Sequence, residues 1–327
     1  MVGSSRRRFL QAGASCAGHL ALASALAPAA ARALWAQQPM GRVVRTEPFG
    51  RLEQVADGVW ALVSTPLGGD YTTVSNGGLI AGRDGVLVVE GLMTPEGARW
   101  LAGQSRALTG RWPTHVAITH YHADHVAGVA GYRADGAQPV VHATGETVDR
   151  VLAALPPTPL PADEARREAL AQVVAPDGGA ATIDLGGRRV RLVRRRGHTA
   201  SDVSVEVDDP SIVFTGDLVW NGMFPNYVDA APTELAAAVQ ALRRSRTTTY
   251  VPGHGAVAVD ADVARYLDML GEVERAARAA YVRGTPPAAA ASAFALPASL
   301  GEWAMFNKVF FERAFAAWAR ELGAGRG

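Results

Sequence analysis

The chain has 327 residues, of which 48% are hydrophobic and 19% are charged, a balance typical of a folded protein with a buried core and not of intrinsic disorder. The formal net charge is +1, and it becomes −3 when the first 36 residues, which contain four arginines and no acidic residue, are left out. A mildly acidic remainder argues against a nucleic acid or an anionic membrane as the partner.

Residues 1–36 are predicted to be an export signal and are set aside from the fold. They begin with the basic cluster 5-SRRRFLQ-11, continue with a run rich in Ala, Leu and Gly, and end in small residues. The pair Arg6-Arg7 followed by Phe9-Leu10 resembles a twin-arginine signal. The apolar run is interrupted by His19 and is shorter than the ~20 residues of a membrane span. We therefore expect transport by the twin-arginine export machinery, a periplasmic location and no stable membrane anchor after cleavage.

Cys16 is the single cysteine of the chain and lies within the predicted signal. Once the signal is removed, the protein has no disulfide and no cysteine nucleophile. Any metal ion must then be bound by histidines and carboxylates.

The elements of a domain at 41–283 follow in chain order. Runs of apolar residues predict strands at 59–63, 78–82, 86–90, 114–119, 138–142, 181–193, 202–207, 211–215 and 248–251. Helices are predicted at 94–108, 144–155, 233–242 and 260–282, and a Pro-rich, partly helical insertion is predicted at 156–174. Residues 284–327 are expected to form an Ala/Pro-rich linker and a last helix, at 300–322, packed on the same domain. This order favours two mixed sheets packed on each other with helices outside.

The stretch 119-THYHADHVAG-128 places four potential metal-binding side chains directly after a predicted strand. His120 and His122 are two residues apart, so in extended chain they point to the same side. Asp124 and His125 lie in the turn that follows and can serve a second position nearby. Imidazole and carboxylate are ligands suited to zinc and iron, so one short segment can supply two metals.

Three further candidates follow strand-like runs and lie beside glycines that permit a sharp turn: His198 in 197-GHT-199, Asp217 in 215-TGD-217 and His254 in 253-GHG-255. His115 and His142 match no ligand motif and are interpreted as structural. The run Arg194 to Arg196 could bind an anionic substrate, although a solvated strand end is the favoured interpretation.

These motifs, in this order across about residues 50–257, resemble the metallo-β-lactamase superfamily. The resemblance implies an αβ/βα sandwich. It implies that the first metal is bound by His120, His122 and His198, the second by Asp124, His125 and His254, and that Asp217 bridges them. Asp217 stands where some zinc β-lactamases have cysteine, and it resembles the ligand of glyoxalase II. Glu90 replaces the aspartate that usually supports the site.

We therefore expect an exported hydrolase with two zinc ions, in which a bridging hydroxide cleaves an ester, thioester, lactone or amide bond of a small-molecule substrate. Asp124 is the candidate proton shuttle for the leaving group. The loop 64–73, the stretch with Asn221, Phe224 and Asn226, and the insertion are expected to select the substrate. Three alternatives stay open: a persulfide dioxygenase with one Fe²⁺, a β-lactam-hydrolysing enzyme, and a non-enzymatic metal-binding protein.

Overall fold

The computed structural model describes residues 39–324, so the predicted export signal lies outside the described residues. A first sheet has its strands in sequence order, antiparallel from β1 to β5 and parallel from β5 to β8. Its strands are β1 Arg42–Glu47, β2 Gly50–Ala56, β3 Val59–Ser64, β4 Gly77–Ala81, β5 Val86–Val89, β6 His115–Ala117, β7 Val140–His142 and β8 Val173–Val174.

A second sheet has the order β13-β12-β11-β10-β9, in which only the β12–β13 pair is parallel among the described strands. Its strands are β9 Ala180–Asp184, β10 Arg189–Arg194, β11 Val203–Val207, β12 Ile212–Asn221 and β13 Thr249–Gly255.

Helices connect the strands and cover both sheets. They are α1 Pro95–Thr109, α2 Ala123–Val126, α3 Gly145–Ala154, α4 Pro161–Ala169, α5 Pro232–Leu242, α6 Asp260–Val282, α7 Pro287–Ala293 and α8 Val309–Ala324. Helix α1 begins as predicted, because the Thr94 side chain accepts a hydrogen bond from the Gly97 backbone N–H at 3.2 Å and Pro95 needs no such partner.

Apolar side chains fill three layers between these elements. The central layer joins the two sheets and includes Val63 and Phe214. A second layer, with Leu101, lies between the first sheet and helices α1, α3 and α4. A third, with Leu235 and Trp318, lies between the second sheet and helices α5, α6 and α8. The prediction of two mixed sheets flanked by helices is therefore confirmed.

The structure departs from the predicted element boundaries at several places. The segment 156–174 contains α4 and ends in β8, which pairs with β7 as the last strand of the first sheet. Strand β12 continues beyond 215, because residues 216–221 pair with β13 after a register shift. The last helix begins at Val309 and not at 300, because Ala304 is held in extended chain by backbone hydrogen bonds to Gly222 and Phe224. The predicted linker contains α7.

Between residues 39 and 324, no helix combines the length and the apolar character that crossing a lipid bilayer requires.

Candidate metal centre

All seven predicted ligand residues meet at one end of the sandwich. His120, His122, Asp124 and His125 lie on the chain that leaves β6 and enters α2, and His198 lies on the turn between β10 and β11. Asp217 lies within β12 and His254 within β13, two strands that are parallel neighbours. The side chains form two groups, in each of which the potential ligand atoms lie within 4.8 Å of one another: His120, His122, His198 and Asp217; and Asp124, His125 and His254.

Three imidazoles converge in the first group. His122 Nδ1 lies 3.1 Å from His120 Nε2 and 3.0 Å from His198 Nε2. Burial lowers the pKa of His198 to about 3, so its ring is neutral and its lone pair is free to bind a cation. A proton can join only two of these nitrogens at a time, whereas one metal ion satisfies all three.

Carboxylates lie close to both imidazoles of the second group. Asp124 Oδ2 lies 3.4 Å from His125 Nε2 and 3.2 Å from His254 Nε2. Burial by itself would lower the pKa of His254, but the charges of Asp217 and Asp124 raise it to about 9. In the protein chain alone, a proton on His254 therefore compensates buried carboxylate charge. A divalent cation compensates the same charge and is also coordinated by the ring.

Asp217 lies between the two groups and presents one carboxylate oxygen to each. Its Oδ2 is 3.2 Å from His198 Nε2, and its Oδ1 is 3.1 Å from His125 Nε2 and 3.4 Å from His254 Nε2. Within residues 39–324, Asp217 Oδ1 and His125 Nε2 are buried without a hydrogen bond of acceptable geometry. Buried polar atoms are rarely left in this state, and two cations sharing Asp217 would satisfy both. The residues present thus fit a pair of metal ions.

Two glycines permit the backbone to pack closely around the Asp217 carboxylate. A Cβ atom on Gly253 would lie 2.0 Å from Asp217 Oδ1, so any larger residue would displace the central carboxylate. Gly216 has a φ of 53°, in the left-handed region that glycine adopts without strain, and it turns the chain directly before Asp217.

Glu90 contacts the second group through the His125 ring nitrogen that faces away from Asp217. Its Oε1 accepts a hydrogen bond from Thr119 Oγ1 at 2.6 Å and lies 3.0 Å from His125 Nδ1. The backbone of Glu90 has a φ of 77°, which is unusual for a residue other than glycine and is held by a hydrogen bond from the Tyr132 hydroxyl to its carbonyl. The longer glutamate therefore reaches the position expected for the supporting acid.

Asp229 is a further part of the site that sequence reasoning missed. Its Oδ2 lies 3.1 Å from His122 Nε2, and the Tyr121 hydroxyl donates a second hydrogen bond to its carboxylate. Burial alone would raise the pKa of Asp229, but the hydrogen bond with His122 lowers it to about 2. A carboxylate at this position fixes the ring and directs Nδ1 towards the first group. No motif surrounds Asp229, and it lies 107 residues from His122 in the chain.

Replacing Asp229 with asparagine is expected to weaken metal binding in the first group by about 10- to 100-fold, the range for loss of a carboxylate that orients a histidine ligand. Competition with a chromophoric chelator measures this affinity. The exposed carboxylate of Asp208, which pairs with Arg244, provides the matched control in Asp208→Asn. Equal affinities of both variants and the unaltered protein would contradict the positioning role.

Aromatic side chains form the wall beside His254. The Trp220 ring is 4.1 Å from the His254 ring, centroid to centroid, and the Phe306 ring is 5.4 Å from it. Phe306 lies in the bend between Ala304 and α8, so the segment before the last helix contacts the site. Sequence reasoning did not anticipate either residue, because neither lies in a ligand motif.

One prediction on substrate contacts is corrected. Asn221, Phe224 and Asn226 are buried, not exposed over the site. Phe224 packs in the core against Phe311, with ring centroids 4.8 Å apart. The asparagines hold the backbone: Asn221 donates to the carbonyl of Ala256, and Asn226 accepts from the N–H of Val228.

The arginine run at 194–196 is largely engaged with neighbouring carboxylates. Arg195 lies 2.8 Å from Glu206 and Arg196 lies 3.1 Å from Glu234. These pairs favour the structural interpretation of the run. His115 and His142 contact each other, with Nδ1 and Nε2 3.1 Å apart, and belong to neither candidate metal group.

The comparisons with known proteins agree with this geometry. Residues 70–254 match the family model described as the metallo-beta-lactamase superfamily. The chain is similar to a hydroxyacylglutathione hydrolase from Acidiphilium cryptum (strain JF-5), with 30% identity over 189 residues, which cover 57% of this chain and 67% of the relative.

Two solved structures share the fold at low sequence identity. A stereoselective inverting sec-alkylsulfatase from Pseudomonas sp. has a TM-score of 0.64 at 16% identity, covering 83% of this chain. The match spans about half of the sulfatase, 50% of its chain. A metallo-beta-lactamase from Pontibacter korlensis has a TM-score of 0.54 at 19% identity, covering 67% of this chain and 98% of its own. Since the family model spans more than half of the residues, the chain belongs to the metallo-beta-lactamase superfamily.

Proposed function

We propose that the protein is an exported hydrolase with two zinc ions that cleaves an ester, thioester or lactone bond. The observation that carries the proposal is the position of Asp217, which offers one oxygen to each of two histidine groups. Such an arrangement supports two cations, and the nitrogen and oxygen donors are those that zinc accepts. When bound, a zinc pair lowers the pKa of water towards neutrality and polarises a carbonyl or similar centre.

The chain's own residues would hold and orient the reactants. His122 is kept in place by Asp229, and His125 by Glu90, so neither ring has to reorganise during the reaction. Asp124 is partly exposed, with a side chain accessibility of 14%, and its backbone is fixed by a hydrogen bond from Ser75 Oγ to its carbonyl. We propose that Asp124 passes a proton to the leaving group.

The proposed substrate class rests on the donor set and on the relative. Asp217 is an oxygen donor in place of a thiolate, and the relative is named for hydrolysis of hydroxyacylglutathione, an acyl conjugate of a thiol. We therefore propose thioesters and related activated esters as substrates, with lactones as the cyclic counterpart. A β-lactam contains the same kind of carbonyl, so β-lactams are the main alternative substrate class.

Metal analysis of the purified protein together with a substrate panel tests the proposal. Elemental analysis is expected to give two zinc ions per chain, and thioesters or lactones are expected to exceed a penicillin and a cephalosporin in kcat/KM. A β-lactam preference of 100-fold, about 2.7 kcal/mol of transition-state discrimination, would make the protein a β-lactamase. One iron per chain would favour the dioxygenase, and metal without turnover of any substrate would favour a binding protein.

We also propose that the protein reaches the periplasm through the twin-arginine machinery, which transports folded and metal-loaded proteins. The support is the Arg6-Arg7 pair followed by Phe9-Leu10. Replacing both Arg6 and Arg7 with lysine preserves the charge but removes the pair, and the full-length protein is expected to remain in the cytoplasm. Cell fractionation measures this. Undiminished periplasmic protein would contradict the twin-arginine route.

A further inference from the structure

The turn that enters β4 contacts both chain segments that carry ligands of the second metal group. It consists of residues 73–76, with the sequence TVSN, and all four are buried. Burying a polar side chain is costly unless the side chain is hydrogen-bonded. The hydrogen-bond partners of Ser75 and Asn76 therefore show which parts of the protein the turn 73–76 holds together.

Asn76 binds the backbone on both sides of His254. Its Nδ2 donates hydrogen bonds to the carbonyl of Pro252 at 2.9 Å and to the carbonyl of Gly255 at 2.8 Å. Its backbone N–H donates to the carbonyl of Gly253 at 2.8 Å. A single residue thus bonds to the peptide groups before and after a candidate metal ligand, and it reaches them from the other sheet.

Both ends of the Asn76 amide are used. Its Oδ1 accepts a hydrogen bond from the backbone N–H of Ser64, the last residue of β3, at 2.8 Å. A reversed amide would place NH₂ against this N–H and oxygen against two carbonyls, so only the observed orientation satisfies every partner. Strand β13 has a neighbouring strand on one side only among the described strands, so its backbone needs donors from elsewhere. Asn76 supplies them.

Ser75 binds the segment that carries Asp124. Its Oγ donates a hydrogen bond to the Asp124 carbonyl at 2.6 Å, in the first turn of α2, and its own carbonyl accepts from Ser64 Oγ at 2.6 Å. Val74, beside it, has a φ of 61°, which is strained for a β-branched residue. Such strain persists only where the surroundings fix the backbone, and it is common at functional sites.

We propose that Asn76 is a positioning residue for the second metal group and that Ser75 assists it. The inference rests on the proposed two-metal site. Asp124 Oδ2 and His254 Nε2 lie 3.2 Å apart, and the turn 73–76 bonds to the backbone of both segments. It therefore holds these two ligands close together before a cation binds, which reduces the ordering that binding requires.

The effect is expected to be selective for one metal. Within residues 39–324, the hydrogen bonds of the turn 73–76 reach none of the three histidines of the first group. A residue that merely stabilised the whole domain would affect both groups alike. The two groups can be separated by substitution, because His198→Ala impairs the first and His254→Ala impairs the second.

Zinc affinity in these two backgrounds tests the inference, measured by competition with a chromophoric chelator. Asn76→Leu keeps a similar side chain size and removes both polar atoms of the amide. In the His198→Ala background it is expected to weaken zinc binding by about 10- to 100-fold, the range for outer-shell partners of a metal site. In the His254→Ala background the positioned ligand is already absent, and a loss of less than about 3-fold is expected.

Ser75→Ala is the second variant, and it keeps the test decisive if Asn76→Leu folds poorly. It removes one hydrogen bond and is expected to weaken zinc binding by about 10-fold in the His198→Ala background. Ser105→Ala is the matched control, because Ser105 is a buried serine of α1 whose Oγ donates to the carbonyl of Arg111 at 2.8 Å. The control is expected to leave zinc affinity unchanged in both backgrounds.

Hydrogen exchange of the metal-free protein gives a readout that depends on neither metal nor hydrolysis. Asn76→Leu alone is expected to accelerate exchange of the backbone amides of residues 252–257 by at least about 10-fold, because local opening of this segment becomes easier. The amides of α1 are expected to exchange at the same rate in the variant and in the unaltered protein.

Unchanged zinc affinity in both variants in the His198→Ala background would overturn the inference. An equal loss in both backgrounds would also overturn it, because it would show a general structural role, and so would unchanged exchange of residues 252–257 in Asn76→Leu. If neither background binds zinc but the exchange of this segment accelerates, Asn76 fixes the segment that carries His254 and the two-metal proposal is wrong.

Discussion

Replacing Asp217 with asparagine is expected to lower both the metal content and the hydrolytic activity, with a loss of more than about 100-fold in kcat/KM. Loss of a group that only orients a ligand costs about 10- to 100-fold. A larger loss is expected here because Asp217 faces both candidate metal groups directly. Its two oxygens face His198 on one side and His125 and His254 on the other. An asparagine has one neutral oxygen and an NH₂ group that would point at one of the cations.

Elemental analysis and steady-state kinetics of the same preparation measure the effect. Asp268→Asn is the matched control, because Asp268 is exposed on α6 and belongs to neither candidate group. Both activity and two metals per chain are expected to persist in the control. Should Asp217→Asn retain full activity with both metals bound, the bridging role is wrong. Loss of one metal alone would indicate that Asp217 serves a single group.

Removal of the metals with a chelator is expected to abolish hydrolysis and to lower the thermal stability of the protein. Several carboxylates and imidazoles are buried together at the site, and without cations their charges are compensated only by protons. A ligand present at 100 times its dissociation constant stabilises the folded state by about 2.7 kcal/mol. For a domain of this size, that free energy corresponds to roughly 5–10 °C in Tm.

Differential scanning calorimetry of the metal-free and reloaded protein measures this shift. Zinc is expected to restore both Tm and activity, whereas magnesium is not, because the sites offer mainly imidazole nitrogen. Restoration by ferrous iron and not by zinc would support the dioxygenase alternative. Chelation that changes neither Tm nor activity would show that the histidine groups bind no metal under these conditions.

The strands, the helices and the seven candidate ligands were predicted from the sequence because they depend on local pattern, whereas the sandwich was implied by the superfamily resemblance. Strands such as β3 and β5 are short apolar runs, and helix α1 begins at Thr94-Pro95, so their positions follow from nearest neighbours in the chain. The spacing in 119-THYHADHVAG-128 likewise brings four side chains to one turn. Their assignment to two groups required the superfamily resemblance, and the structure then placed them within 4.8 Å of one another in each group.

The tertiary structure alone decided what surrounds these residues. Asp229 reaches His122 from a distant loop. Phe306 reaches His254 because Ala304 pairs with the residues that follow β12, so that α8 begins only after Phe306. Such contacts join residues far apart in the chain and depend on how the sheets and helices pack. This packing produces no recognisable pattern in the sequence. The sequence by itself therefore predicted the local elements and the candidate ligands, and its superfamily resemblance predicted the fold, whereas packing determined the orientation of the ligands, their supporting carboxylates and the aromatic wall beside them.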